Sequence, residues 1–503
     1  MVRALLSLVA LSLQLGSALA APAASAASAA DASAAASVSL ATAASAVSSV
    51  ATASLATNAS PAASAAPNAS GSVSAAARGT PSGTQISPPD ATVPPASDDP
   101  NNVIFQPNAP DVNPQPIRGQ LGAPTITNEN IPVDVQNPDL LAPPSTDHGE
   151  FQNAKWPFSL SHNRLQTGGW AREQNVGVMP ISTSMAGVNM RLEAGAVREL
   201  HWHKTSEWAY ILNGSVQVTA INADGQNFIG HVNPGDLWFF PAGMPHSLQA
   251  TNENPDGAEF VLVFPDGSFS EDSTFLLTDW LSHIPKEVIA KNFQTSISAF
   301  NNLPSQELYI FPSTPPPVNQ QPPSDPQGTI PQPWTFALSQ VKATQVQGGT
   351  IKIVDQTTFP ASTQISAIEV TVEPGAMRFA LVYSQACDAQ WHPTQDEWTF
   401  YISGQGRVTI FAGTSTSRTF DYQAGDVGFV PASMGHFVEN TGNDTLHFLE
   451  LFPSGTFQPT SIGQDWLALT PPELVQVHLG IDQDTLNQLT SFKTKEFVVG
   501  PSQ

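Results

Sequence analysis

The chain has 503 residues, with 18 Lys and Arg against 42 Asp and Glu and a formal net charge of −24. So acidic a surface repels nucleic acid and anionic membranes, and neither is expected as a partner. The single cysteine, Cys387, rules out an internal disulfide, so stability must come from buried apolar core.

Residues 1–20, MVRALLSLVALSLQLGSALA, combine a basic start, an apolar run and an A-L-A end before Ala21. That is the pattern of a secretory signal peptide. No later segment approaches about 18 consecutive apolar residues, so no membrane anchor is expected and the protein reads as secreted and extracellular. Residues 21–100 are dominated by Ala, Ser, Pro and Thr, a composition unable to bury a core, and read as a disordered stalk. Glycan acceptors of the N-x-S/T type occur at Asn58, Asn68, Asn213 and Asn443.

Two foldable parts follow, 101–310 and 335–500, with a Pro-rich extended connector at 311–334. They are copies of each other. GAVR (195–198) answers GAMR (375–378), and EWAYILNG (207–214) answers EWTFYISG (397–404). PGDLWFFPAGMPHS (234–247) answers AGDVGFVPASMGHF (424–437), and DWLSHIP (279–285) answers DWLALTP (465–471). Short strand-like runs such as VQVTAI, FVLVF, RVTIFA and HFLELF are separated by Gly, Pro, Asn and Asp turns. The spacing predicts an all-β sandwich or jelly-roll barrel in each copy. Each copy ends in a helix; in the second, Thr470-Pro471-Pro472-Glu473 reads as a capping box and Gly480 as the stop.

In the first copy, RELHWHKTSEW places His201, His203 and Glu207 within seven residues. On a strand His201 and His203 share a face, Glu207 can return to it after a turn, and His246 suits a facing strand. Three imidazoles and a carboxylate make a mixed N/O site suited to Mn, Fe, Ni or Zn, and the lack of thiolate argues against structural zinc. Arg198 can point into the same cavity, where a guanidinium suits a small anion. The polar stretch SFSEDST (268–274) follows the FVLVF strand.

These residues resemble the cupin superfamily. Gly195, His201, His203, Glu207 and Gly214 match its first motif; Gly235, Asp236, Pro241, Gly243 and His246 match its second. Two tandem copies make a bicupin. GGWARE (168–173), RELHWHKTSEWAY (198–210) and SFSEDSTFLLTDWL (268–281) are similar to fungal and bacterial oxalate decarboxylases, the secreted fungal type included. The resemblance implies two jelly-roll domains, a Mn2+ site, dioxygen as co-catalyst, oxalate as substrate, and a homo-oligomer. It further implies that 268–274 is a lid over the first metal, with Glu271 donating the proton that completes formate. The family lid reads S-E-N-S-T, so Asp272 is a departure that adds charge beside the donor. An oxalate oxidase on the same scaffold and a non-catalytic secreted bicupin are the alternatives.

The second copy departs at one place. Arg198 to His201 is three residues, whereas Arg378 to Gln390 is twelve, so nine residues are added there. His392, Glu397 and His436 remain as a degenerate second metal set, with Gln390 where the first His would stand and Cys387 and Asp388 nearby. The insertion is expected to displace Arg378 from its place on the strand. Pro459 falls opposite Glu271, so the second copy has no lid acid; the resemblance associates Glu450 with the second metal site, and within HFLELF it equally reads as a strand residue with a structural bond. The first copy is expected to be catalytic and the second structural or weakly metal-bound.

Overall fold

A computed structural model describes residues 137, 146–346, 348–378 and 389–491. The expected signal peptide (1–20), the stalk (21–100), Asn58, Asn68, Cys387 and Asp388 lie outside the described residues. Two barrels follow in chain order, each a seven-stranded sheet packed on a six-stranded one. No helix among the described residues is long and apolar enough to cross a membrane.

The seven-stranded sheets are buried on both faces, which is why their strands read as unbroken apolar runs rather than alternating ones. On strand Glu207–Asn213, Ala209 and Ile211 join the core inside the first barrel, while Trp208 and Tyr210 join a second core. That second core is shared. Trp208, Phe239 and Val261 of the first barrel lie in it with Trp398, Phe429 and Leu449 of the second. Gly187 is required at this seam, because a Cβ there would lie 2.3 Å from the Trp398 ring. A polar cluster crosses the same seam: the Tyr210 hydroxyl donates to Glu369 (3.0 Å), which also meets Lys352 (3.0 Å) and His447 (2.9 Å). Burial raises the Glu369 pKa, but hydrogen bonds from His447 and Lys352 outweigh it and hold the group at about 2.

Hydrogen bonding does not respect the domain bounds expected from the repeat. Lys155–Pro157 pairs with Asp426–Gly428 of the second barrel, and Thr335–Phe336 pairs with Leu237–Trp238 of the first. Each barrel thus covers an edge of its neighbour's sheet, which would otherwise expose unpaired backbone groups. Nor does 311–334 hang free. Ile310–Phe311 pairs with Val197–Arg198, and Ile330 and Trp334 are buried in the first core.

Helical arms follow both barrels, Leu277–Ser282 and Lys286–Asn292 in the first, Pro472–Leu479 and Gln483–Ser491 in the second. The expected capping box is absent. The N-cap is Pro471, without a side-chain bond, and the Thr470 hydroxyl instead donates to the Trp466 carbonyl (2.7 Å), closing the preceding turn. Gly480 does end the helix, at φ +64.

Two candidate metal centres of unequal equipment

Strand Val197–Trp202 carries Arg198 and His201, and strict alternation would put them on opposite faces. A bulge resolves this. His246 pairs with His201 and Leu248 with Arg198, so between these pairs two residues, Glu199 and Leu200, oppose the single Ser247. The extra residue re-phases the strand. Arg198, His201 and His203 are buried, while Leu200 faces out at 51% exposure.

His201, His203, Glu207 and His246 each offer one ligand atom, and these atoms lie within 4.8 Å of one another. Each imidazole is oriented from behind. Nδ1 of His201, His203 and His246 meets the carbonyls of Glu199 (2.6 Å), Thr205 (2.7 Å) and Met244 (2.8 Å). Those carbonyls can only accept, so Nδ1 carries the proton and Nε2 presents its lone pair to the cavity. Trp238 Nε1 donates to Glu207 Oε1 (2.7 Å), leaving Oε2 for the cavity 3.1 Å from His203 Nε2 and 3.5 Å from His246 Nε2. His246 Nε2 is buried without a hydrogen-bond partner among the described residues.

Electrostatics favour one state of this set. Burial, then the Arg198 charge, holds the His201 pKa well below its ordinary value, and burial likewise lowers that of His246. Burial opposes ionisation of Glu207, yet the surrounding imidazoles outweigh it and keep the carboxyl below its usual range. Three imidazoles each engaged through Nδ1 from behind and a carboxylate, with His246 Nε2 unfilled among the described residues, fit a divalent cation of the Mn, Fe or Zn type.

Arg198 lies beside these ligands at 1% exposure. Its Nη2 meets Glu271 Oε2 (2.9 Å), while Nε and Nη1 are buried without a partner among the described residues. Glu271 begins the single turn Glu271–Ser273, capped by Ser270. Its Oε2 also accepts from the Tyr309 hydroxyl (2.7 Å), and the Arg198 guanidinium stands 4.2 Å from the Tyr309 ring centroid. Asp272 pairs not with the Glu271 site but with Arg164 (3.2 Å), which also pairs with Glu307 and lies 3.6 Å from the Tyr309 ring centroid. The charge of Asp272 is thus matched by a cation.

Tyr309 was not identifiable from the motifs, since it lies 38 residues after Glu271, beyond the helical arm. It adopts left-handed backbone, φ +57, a conformation costing roughly 1–2 kcal/mol for a residue with a Cβ. Buried Glu199 holds it there, accepting from the amides of Leu308 and Tyr309 and from Thr278.

The second centre keeps the frame. Arg378 pairs with Val438 and Gln390 with His436, the registers that Arg198 and His201 hold in the first barrel. The expected displacement of Arg378 is therefore corrected: its backbone stays in register. Both positions stay paired despite the added residues in the sequence between them, because a ladder is fixed by each local pair and not by chain continuity. His392, Glu397 and His436 also place their ligand atoms within 4.8 Å of one another. Glu397 Oε2 lies 2.9 Å from His392 Nε2 and 3.1 Å from His436 Nε2. Gln390 Nε2 lies 3.2 Å from His436 Nε2, and Gln390 Oε1 and His392 Nδ1 have no hydrogen-bond partner among the described residues. Glu450, fully buried on strand Leu446–Phe452, pairs in register with Thr399.

The cupin family model matches residues 160–299 and 336–487. Oxalate decarboxylase OxdC of Bacillus subtilis is 50% identical over 387 residues, 76% of this chain and 96% of that one. A probable oxalate decarboxylase of Arthroderma benhamiae is 37% identical over 393 residues, 76% and 93% of the two chains. Among solved structures, the Bacillus subtilis enzyme at pH 4.6 aligns with TM-score 0.70 at 49% identity, covering 76% of this chain and 97% of that one. A structure used to assign the Mn(II) centres of the same enzyme aligns with TM-score 0.71 at 49% identity, covering 76% and 98%.

Proposed function

This chain belongs to the cupin family, as a bicupin of the oxalate decarboxylase type, and we propose that its reaction is carried by the first barrel. It is an oxalate decarboxylase, an enzyme converting oxalate and one proton to formate and carbon dioxide. The observation that carries the site assignment is Arg198, a buried guanidinium with two unfilled donors beside a four-ligand set and under Glu271.

His201, His203, Glu207 and His246 would hold manganese, which when bound supplies the Lewis-acid and redox chemistry that weakens the oxalate C–C bond. Dioxygen is the co-catalyst in this reading. Arg198 neutralises and orients the substrate carboxylate, which the acidic surface would otherwise repel. Glu271 carries the proton that replaces departing carbon dioxide on carbon. Arg198 and Tyr309 both engage Oε2, which leaves Oε1 to bear that proton and stabilises the carboxylate once it is given up. The closed lid keeps bulk water from the reacting carbon. Formate release from oxalate by the purified manganese-loaded protein tests this reading. Glu271→Gln is expected to lower formate output at least about 100-fold without lowering bound manganese; unchanged formate output would sink the assignment.

The second barrel is proposed as a weak metal site, so that about one manganese per chain binds tightly. We further propose a homo-oligomer joined through the helical arms, which expose Trp280, Val288 and Phe293 in the first barrel and Leu474 and Val477 in the second, with Trp466 on the preceding turn Ile462–Leu467. Light scattering showing a monomer would refute that. Secretion with cleavage before Ala21, and glycans on the exposed Asn213 and Asn443, complete the proposal; N-terminal sequencing and glycosidase-dependent mass shifts of the secreted product test it.

A further inference from the structure

We propose that Glu173 is the positioning residue that holds the lid closed over the first site, an inference that rests on the decarboxylase reading given above. Glu173 stands on strand Gly169–Gln174, within the GGWARE string, and does not touch the metal ligands. Its carboxylate is spent on the lid. Oε2 accepts the Glu271 amide N–H at 2.9 Å, and Oε1 lies 3.3 Å from the Ser270 hydroxyl. Ser270 in turn caps the single turn that carries Glu271, accepting from the Asp272 amide. Asn175 bridges the two segments, its Nδ2 donating to Glu173 Oε1 (3.3 Å) and to the Phe269 carbonyl (3.0 Å). The Val176 amide adds a backbone bond to Gly267 (2.9 Å).

Two features separate this from an incidental contact. No Lys or Arg pairs with Glu173 among the described residues, so its half-buried charge is met by neutral donors, two of them lid groups. Burial and the nearby Glu271 and Asp272 charges act against ionisation, while the amide and hydroxyl donors act for it. An open lid would withdraw those donors. The repeat supplies the second feature. Aligning Gly169 with Gly349 puts Ile353 opposite Glu173, as Pro459 lies opposite Glu271. The barrel without a lid acid also lacks the carboxylate that would hold one.

The contact engages the backbone of Glu271, not its carboxyl, so Glu173 sets where the proton donor stands and takes no proton itself. A lid that dwells open admits water and dioxygen to the reacting carbon. Turnover then diverts to oxidation, in which oxalate, dioxygen and two protons give two carbon dioxide and hydrogen peroxide.

The test compares wild type, Glu173→Gln and Glu173→Ala as full-length, manganese-loaded proteins, with two readouts. Hydrogen exchange of the 270–274 amides is expected to speed up at least about 10-fold in Glu173→Ala, with Glu173→Gln, which keeps one acceptor oxygen, in between. The ratio of peroxide to formate is expected to rise by a similar factor, with bound manganese unchanged. A merely structural role would lower manganese content and both products together and leave their ratio alone. Wild-type exchange rates in folded Glu173→Ala, or faster exchange with an unchanged product ratio, would overturn the proposal. Should wild type release no formate, the decarboxylase reading fails, and lid exchange still decides the latch.

Discussion

The two barrels hold the same strand register around their centres and differ in almost everything attached to it. In the first, three imidazoles are each fixed through Nδ1 to a backbone carbonyl, and Trp238 orients the carboxylate ligand. In the second, Gln390 takes the place of an imidazole, His392 Nδ1 has no partner among the described residues, and Gly428 stands where Trp238 would be. The first has Glu271 and Glu173; the second has Pro459 and Ile353. The geometry of a ligand set is thus carried by ladder pairing and survives an insertion. Reactivity resides in the edge and loop residues around it, which vary without disturbing the fold.

That contrast can be broken most strongly by giving the first centre the second one's ligands. His201→Gln is expected to lower formate output at least about 100-fold and to cost about 10- to 100-fold in manganese affinity, measured by product analysis and metal titration. Normal output from this variant would mean that the first barrel is not the reactive one. The reverse exchange sharpens the comparison. Gln390→His is expected to raise tightly bound manganese from about one toward two per chain while changing formate output less than about 2-fold, because no lid acid follows. A large gain in formate would show that the missing imidazole alone had silenced the second barrel.

The smallest expected effect concerns the seam that joins the barrels. Glu369 has its pKa lowered to about 2 by His447 and Lys352, so its contribution is fully present above the ordinary carboxylate range and is lost as pH falls toward 2. Glu369→Gln should therefore lower stability by on the order of 3 kcal/mol near neutral pH, and the gap to wild type should close between about pH 4.5 and 2. Thermal melts of both proteins across that range check it. A gap independent of pH would mean that packing, not charge, holds the contact.

Much of this was legible in the chain. Repetition of motif blocks and short apolar runs gave the all-β, two-barrel reading, because a strand's period and its turn residues are local properties. The ligands were legible for the same reason: His201, His203 and Glu207 lie within seven residues, and a fixed distance links Gly235 to His246. The lone substitution at Gln390 was visible by subtraction against the first copy.

What the sequence did not reveal was set by contacts between distant segments. Strict alternation could not explain how Arg198 shares a cavity with His201; the pairing with His246 and Leu248 introduces the bulge that does it. Arg378 looked displaced along the chain, yet its partner strand keeps its backbone in register. Tyr309 and Glu173 approach Glu271 from opposite sides in sequence, 38 residues after it and 98 before it. Composition and spacing thus determined the elements and the ligand identities, whose causes are local. Only the tertiary structure decided which loops close over which ligands, because those hydrogen bonds exist only once the barrel has brought their strands together.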